Sequence, residues 1–273
     1  IPGDDERLIM KSGERPGRMT RIVDRNLNTV SRFNFDEALI GRIAADEQSM
    51  YVHVGRNGNN RRRVSRFTRD GTEVASYEYP VGGYGYSPVL APGGLLFCVY
   101  TPDVSTTLRL RDPDECLALD AQSMQLRYRF GLPSNDVLGL TVVGEELFVC
   151  SRGMDSLEVF SLTGEHLRSI TGEWKQPGAL CHVKGRLYLV EEEDDDEGVE
   201  GSASSLHGKR IFVLSEQGET LQVYPMTVEE GHYFSGTLIY FNGMLLAEHG
   251  SHLVEPSAYN IRNPSMWLAL RGA

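Results

Sequence analysis

A four-part unit that recurs along the chain constrains the fold more than any other feature of this sequence. Its clearest copy spans residues 137–172 and holds four short apolar runs, at 137–143, 147–151, 156–161 and 166–170. Tight turns separate the runs, with Gly144 in the first hairpin and Gly164 in the second. Short apolar runs joined by tight turns are typical of antiparallel strands that follow one another in the sheet. The unit therefore predicts a four-stranded antiparallel meander.

Complete copies of this unit occupy four segments, 37–80, 86–131, 137–172 and 178–225. The turn of the second hairpin falls near Gly71, Ser123, Gly164 and Gly218, which are 52, 41 and 54 residues apart. The spacing varies because the loop between the second and third runs changes in length. One such meander leaves apolar faces uncovered, and radial stacking of several meanders covers them in a β-propeller.

We therefore expect an all-β protein, a single β-propeller domain over residues 1–273 with four-stranded antiparallel blades. The ends supply the remaining strands, with three strand-like runs in 1–34 and an inner hairpin followed by a last run in 233–273. We expect the two termini to pair and close the ring, which gives six blades and covers the sheet edges. Five blades are the alternative, with the terminal strands sharing one blade.

The order of elements in the unit resembles the NHL repeat and related six-bladed propellers. It runs from a strand and a turn to a [LV]-[FY]-V strand, a loop, a V-x-x-[FL] strand, an x-x-G turn and a last strand. The resemblance covers about 37–250, and the Pro-x-Gly opening usual in the family survives only as Pro177-Gly178. The resemblance implies a propeller that binds a protein or RNA on one face.

Charge and apolar patterning limit the classes of partner and the compartment. The net charge of −11 opposes binding of nucleic acid over the whole surface. No apolar run approaches the roughly 18–20 residues that span a bilayer, so we expect no membrane insertion. The four cysteines lack CxxC spacing and three lie in predicted strands, which favours buried, reduced thiols and an intracellular, cytoplasmic setting. Disulfides stay open as an alternative because the number is even.

A cluster of arginines in the second half of the 37–80 unit is the main candidate binding feature. Its members are Arg56, Arg61, Arg62, Arg63, Arg66 and Arg69. Guanidinium groups bind phosphates and carboxylates in bidentate fashion, so the cluster indicates an acidic or phosphorylated protein partner, or RNA. Arg62-Arg63-Val64-Ser65 also resembles the site of a basophilic kinase. The alternative is an exposed edge strand on which charge prevents aggregation.

A second candidate is the aromatic, glycine-rich connection between the first two complete units. It contains Tyr79, Tyr84 and Tyr86. Connections between blades emerge near the mouth of the central channel, where tyrosines make good contact residues because they combine apolar area with a polar tip. The alternative is an ordinary linker whose rings pack on the neighbouring blades.

Other charged groups have weaker patterns. The acidic run 191–197 lacks the spacing of a calcium loop, so we expect a solvated insertion held open by its own repulsion. His249 and His252 have a spacing compatible with a metal, but no regular element fixes them together. His53 and His182 lie in predicted strands, where we expect core or channel positions.

Two functions follow from these observations. The first is a non-catalytic interaction module without a cofactor, since no P-loop, HExxH, GxSxG or dinucleotide-binding motif lies on a suitable unit. The second is a hydrolase that resembles the lactonase and strictosidine-synthase-like propellers, which implies a divalent cation in the channel. The predicted innermost strands are poor in carboxylates, with only Asp36, Glu37 and Asp136 at their openings. This depletion favours the interaction module.

Overall fold

The computed structural model of the chain describes residues 8–11, 19–23, 26, 28–34, 38–55, 62–80, 84–102, 113–134, 136–193, 207–225, 232–241, 244–251 and 266–270. Regular structure in these ranges is almost entirely β-strand, with one short 3-10 turn at Arg152–Met154 and no α-helix. Within these ranges no helix has the length and apolar character needed to cross a bilayer. The prediction of an all-β protein is confirmed.

The described strands form six antiparallel sheets, and strands adjacent in the chain are adjacent in the sheet. Sheet 1 contains β1 (Leu8–Lys11), β2 (Met19–Val23) and β3 (Thr29–Asn34), and sheet 6 contains β20 (His232–Phe241), β21 (Met244–Ser251) and β22 (Met266–Leu270). Sheet 2 contains β4 (Ala38–Ala45), β5 (Ser49–Gly55), β6 (Arg62–Thr68) and β7 (Glu73–Glu78). Sheet 3 contains β8 (Tyr84–Ala91), β9 (Leu95–Thr101), β10 (Glu115–Asp120) and β11 (Leu126–Gly131). Sheet 4 contains β12 (Val137–Val143), β13 (Glu146–Ser151), β14 (Ser156–Ser161) and β15 (His166–Thr171). Sheet 5 contains β16 (Pro177–Val183), β17 (Arg186–Glu193), β18 (His207–Ser215) and β19 (Thr220–Pro225).

The first strands of successive sheets lie next to one another. β4 contacts β8, β8 contacts β12, β12 contacts β16, and β16 contacts β20. These strands are therefore innermost and the sheets radiate from them like blades. Within the described ranges each three-stranded sheet takes its strands from one end of the chain, so the pairing of the termini, the blade count and the single domain over 1–273 remain predictions.

The apolar core is divided into layers between consecutive sheets. Phe97 and Val99 of sheet 3 pack with Leu147 and Val149 of sheet 4, and a second layer joins sheets 4 and 5 around Trp174. All these side chains are fully buried. Each sheet therefore depends on its neighbours to remove its faces from water, which is the main stabilising effect in such an arrangement.

The turn of the second hairpin has the same hydrogen bonds in three sheets. In sheet 5 the Gly218 amide donates to the Ser215 carbonyl at 2.9 Å, and the Ser215 amide donates to the Glu219 carbonyl at 2.9 Å. Gly218 has a φ of +92°, a backbone conformation that residues other than glycine rarely adopt. A Cβ atom at Gly218 would also overlap Cγ2 of Ile170 in sheet 4. The repeated glycine thus shapes its own hairpin and contacts the preceding sheet.

Sheet 3 lacks this glycine and forms a longer turn in its place. Met124 takes the positive φ, +58°, and its amide donates to the Asp120 carbonyl at 2.8 Å. The Asp120 carboxylate accepts hydrogen bonds from the amides of Gln122 and Ser123, at 3.1 and 2.8 Å. The Asp120 carboxylate thus stabilises a turn that has no glycine by accepting hydrogen bonds from turn amides, a common role of aspartate in turns.

The cysteines are thiols, and geometry keeps two of them apart. Cys98 and Cys116 lie on adjacent strands of sheet 3, but Cys98 packs toward sheet 2 and Cys116 toward sheet 4. Burial raises the pKa of the Cys98 thiol to about 12, so this thiol stays protonated at neutral pH. These side chains behave as small apolar core residues.

Candidate functional site

In a meander, the strand connections lie alternately at the two ends of each sheet, and the two ends differ. One end, which we call the turn face, carries the tight turns, including 46–48, 92–94, 144–145 and 216–219. The other end, which we call the connector face, carries the links between sheets at 132–136 and 172–176 and the 3-10 turn with Asp155. Because successive first strands lie side by side, the connections of successive sheets lie on the same face. Longer and more variable connections are where binding residues usually lie in a rigid scaffold.

Arg152 links two sheet connections on the connector face. Its Nη1 atom lies 3.6 Å from Oδ2 of Asp136, and its Nη2 atom donates to Oε1 of Gln176 at 3.1 Å. The Arg152 side chain is only 12% exposed, so these contacts are shielded from water. The guanidinium group fixes the openings of β12 and β16 relative to each other.

Asp155 orders the neighbouring connection. Its Oδ1 atom accepts from the Gln176 amide at 2.6 Å, and its Oδ2 atom accepts from Nζ of Lys175 at 3.0 Å. Burial acts to raise the pKa of Asp155, but these hydrogen bonds and the Lys175 charge outweigh it and lower the pKa below its ordinary value. Lys175 keeps a side-chain exposure of 72%, and Met154 is 50% exposed. Hydrogen bonds therefore tie the backbone of this connection to Asp155, while the Lys175 and Met154 side chains are exposed beside it.

The start of the acidic run belongs to this face and is not solvated. The Glu191 side chain is 2% exposed and receives Nε and Nη2 of Arg210, both at 2.5 Å. The Lys175 amide donates to the same carboxylate at 2.9 Å. Glu192 is also buried. The expectation of a solvated insertion is wrong for these two residues, because the second strand of sheet 5 extends to Glu193; residues 194–197 lie outside the described ranges.

The arginines that the structure describes are engaged by the protein itself. Arg63 donates from Nε and Nη2 to the Glu73 carboxylate at 3.0 and 2.8 Å, and this pairing holds the pKa of Glu73 below its usual value. Arg66 donates to Oγ of Ser49 at 2.9 Å and to the Gln122 carbonyl at 2.8 Å, which joins sheets 2 and 3. Arg62 is half-buried at the start of β6. Arg56 and Arg61 lie outside the described residues.

Two other expectations for this segment are wrong. β6 pairs with β5 on one side and with β7 on the other, so it is not an edge strand of sheet 2 and its arginines do not protect an exposed edge. Ser65 is fully buried in β6. A kinase cannot reach that hydroxyl in the folded chain.

Tyr79 belongs to the packing between sheets. It is 5% exposed, stacks on Tyr100 with ring centroids 5.5 Å apart, and its hydroxyl lies 2.9 Å from Nδ1 of the buried His53. Burial raises the pKa of Tyr79 well above its ordinary value. The alternative of a linker whose rings pack on neighbouring blades therefore describes Tyr79. Tyr84 and Tyr86 lie on β8, and their side chains are outside the described set.

The carboxylates considered for a channel cation are only partly described. Asp36 and Glu37 lie outside the described residues. Asp136 lies beside the Arg152 guanidinium, which opposes a cation at that carboxylate. Over the ranges given above, no three His, Cys, Asp or Glu side chains come together as metal ligands. His182 is half-buried and contacts Oε1 of Glu216 at 2.8 Å on the turn face, while His249 and His252 have no described side chain.

One buried carboxylate gathers serine and histidine side chains without forming a catalytic relay. Glu158 of β14 accepts from Oγ of Ser156 at 2.6 Å and from Oγ of Ser169 at 2.6 Å, and its Oε2 atom lies 2.7 Å from Nε2 of His166. Ser169 and His166 thus contact the same carboxylate oxygen. A nucleophile–base–acid series needs the two nitrogens of histidine to contact different partners. The cluster stabilises the hairpin of β14 and β15.

A cleft with a volume of about 530 Å³ lies on the turn face between described residues of sheets 2 and 3. Asp46 lines this cleft, but its carboxylate is engaged in its own hairpin. It accepts hydrogen bonds from the amides of Gln48 and Ser49 and, at 2.9 Å, from the Tyr51 hydroxyl. Burial, followed by contact with Asp46, raises the pKa of Tyr51 to about 12. These groups complete a turn and leave no pattern that indicates a ligand.

Comparison with known proteins identifies the architecture. No known protein family matches the chain, and no curated protein matches it in sequence. Among solved structures it is similar to a protein of unknown function from Bacteroides caccae, with a TM-score of 0.58 and 13% identity over 89% of this chain and 82% of that one. It is also similar to the β-propeller domain of Cps50 (Swd1) from Myceliophteria thermophila, with a TM-score of 0.56 and 10% identity over 89% of this chain and 75% of that one. The fold is that of a β-propeller.

Proposed function

We propose that the protein is a non-catalytic interaction module that binds a protein partner on its connector face. The observation that carries the proposal is the set of contacts from Arg152 and Asp155, which hold two sheet connections rigid while Met154 and Lys175 remain exposed. A preorganised surface loses little conformational entropy on binding. The predicted NHL-type repeat and a six-bladed ring closed by the two termini are part of this proposal.

The residues of the face favour a protein over nucleic acid. Met154 offers apolar area of the kind enriched in protein interfaces. Positive groups of the face are balanced by internal carboxylates, as in the Arg210–Glu191 and Lys175–Asp155 pairs. Sequence-independent binding to phosphates requires an excess of positive charge, which a chain with a net charge of −11 does not provide overall.

Affinity capture with matched surface variants tests the proposal. The variant Met154→Asp/Lys175→Glu changes the connector face, and Val74→Asp/Lys184→Glu makes the same change of charge on an outer strand and a tight turn. We expect the first variant to lose a protein partner that the wild-type chain and the second variant retain. Equal retention by both variants, or recovery of nucleic acid in place of protein, would contradict the proposal. Calcium titration and a lactone panel on the wild-type chain test the hydrolase alternative.

A further inference from the structure

The outer strands of the four complete sheets differ in one respect that bears on binding. Charged side chains lie on three of them, with Glu73 and Glu78 on β7, Arg127 and Arg129 on β11, and Arg168 on β15. β19, with the sequence TLQVYP, carries none. Charged residues on an edge strand discourage pairing with other chains. The repeat thus provides an internal comparison in which one of four equivalent edges lacks this protection.

β19 also exposes apolar side chains. Leu221 is 53% exposed and Val223 is 36% exposed. Residues two apart in a strand lie on the same face, so the two side chains form one short apolar row. Val74 and Leu167 are exposed at the position equivalent to Leu221, but the strands that carry them have charged side chains nearby.

The two ends of β19 limit what can pair with it. Pro225 ends the strand and has no amide hydrogen, so the pairing segment is Thr220–Tyr224. Two glutamates precede the strand. Glu219 is exposed, and the Glu216 side chain is 39% exposed. A strand added antiparallel to β19 would place its carboxyl end beside these two glutamates.

We propose that β19 is a docking edge for an extended peptide segment of a partner protein, added antiparallel, with apolar side chains at alternate positions and a basic residue beyond its carboxyl end. Main-chain hydrogen bonds would hold the segment, the row of Leu221 and Val223 would select its apolar side chains, and Glu216 and Glu219 would attract its basic residue. The acidic net charge disfavours a second copy of the chain at the same edge. This site goes beyond the proposed function, since it lies on the outer edge of sheet 5 and uses none of the connector-face residues.

A peptide selection tests this edge without knowledge of the natural partner. A display library of random dodecapeptides is selected on the wild-type chain alone. The enriched peptide is synthesised with a fluorophore and titrated by fluorescence polarisation. We expect alternating β-branched residues followed by Arg or Lys. We also expect affinity about tenfold or more weaker for Val223→Lys, because a charge on the edge blocks pairing, and weaker binding to Glu219→Lys.

Controls separate strand addition from general adhesion. Leu167→Lys, at the position equivalent to Leu221 on β15, should bind as the wild-type chain does. A peptide with N-methyl groups on alternate residues should not bind, because its main chain cannot donate to the edge. Failure to enrich a patterned peptide, equal loss of affinity in Leu167→Lys, or binding by the N-methylated peptide would overturn the proposal. A dimer in sedimentation velocity that Val223→Lys abolishes would also overturn it, by assigning the edge to a second copy. None of these outcomes depends on the capture experiment for the connector face.

Discussion

Replacement of Gly218 by alanine tests whether the repeated turn glycine contacts the preceding sheet as the structure shows. Two effects act at this position. The φ of +92° is unfavourable for alanine, by about 1–2 kcal/mol, and a less flexible unfolded chain offsets about 0.4–1 kcal/mol of that. The added Cβ also overlaps Cγ2 of Ile170 and would lie 3.1 Å from its Cδ1 atom. Overpacking of this kind adds about 1–3 kcal/mol.

Two matched glycines separate these effects. Gly144 has a positive φ of +58° but no atom within 4 Å of its added Cβ, so Gly144→Ala reports the backbone effect alone. Gly153 has neither a positive φ nor a close neighbour, so Gly153→Ala should be nearly neutral. We expect the free energy of unfolding to fall in the order Gly153→Ala, Gly144→Ala, Gly218→Ala, with the last two separated by about 1–3 kcal/mol.

Urea denaturation followed by circular dichroism measures these differences from the midpoint, provided that the slope m is unchanged. A double-mutant cycle with Ile170→Ala adds a direct test of the contact, because alanine lacks both the Cγ2 and Cδ1 atoms that the added Cβ approaches. In the Ile170→Ala background, Gly218→Ala should cost less than in the wild-type chain, with a coupling energy of about 0.5 kcal/mol or more. Equal destabilisation in Gly144→Ala and Gly218→Ala, together with additive behaviour in the cycle, would refute the contact between the sheets.

Three further predictions concern buried polar groups. Arg210→Ala leaves the Glu191 carboxylate buried without its charged partner and should lower the free energy of unfolding by about 3–5 kcal/mol, whereas Arg127→Ala, which breaks an exposed pair, should leave the urea midpoint close to that of the wild-type chain; equal losses by urea denaturation would contradict this. Hydrogen bonds from Ser156, Ser169 and His166 outweigh burial and lower the pKa of Glu158 below its ordinary 4.5, so its contribution is complete above pH 4.5 and is lost as the pH falls toward the folded-state pKa. Glu158→Gln should therefore weaken the acid dependence of the urea midpoint below that pH; an acid dependence equal to that of the wild-type chain would contradict this. A thiol reagent should label the half-buried Cys181 in the folded chain and the other three cysteines only in denaturant; rapid labelling of more than one thiol without denaturant would contradict their burial.

The repeat made the sheets predictable because each one is a contiguous segment with local turn signals. Turns at Gly164 and Gly218 mark the second hairpins, and the middle strands are short continuous apolar runs because both of their faces are buried. The bounds of the four complete sheets agree with the segments recognised from sequence to within about two residues at each end. Pairing of the two termini remains a prediction, because pairing of distant ends leaves no local pattern in a sequence.

Side-chain partners were much harder to predict. The arginine cluster suggested a free basic surface, but Glu73 lies ten residues from Arg63 in the chain and Gln122 lies in another sheet from Arg66. Glu191 was interpreted as the beginning of a solvated run, because its partner Arg210 lies nineteen residues away and no local pattern indicates the pair. Charge density in a sequence does not report whether opposite charges meet across strands. Arg152 and Gln176 gave no motif, and their only sequence signal was their position in two connections of the same face.

The meander order of the sheets has a consequence for how the chain folds during synthesis. In each of sheets 2 to 5, every strand after the first pairs with the strand just before it, so a hairpin can form as soon as its second strand leaves the ribosome. Sheet 4 occupies 35 residues, 137–171, which take about 2–7 s to synthesise at typical rates, while a hairpin forms in about 1–10 μs. The strands of each sheet therefore pair before the next sheet is complete, and an apolar face of the sheet stays exposed to water until the following sheet packs on it. The nascent chain is most exposed to aggregation at the face of the newest sheet, and the exposure moves along the chain as each new sheet covers the one before it.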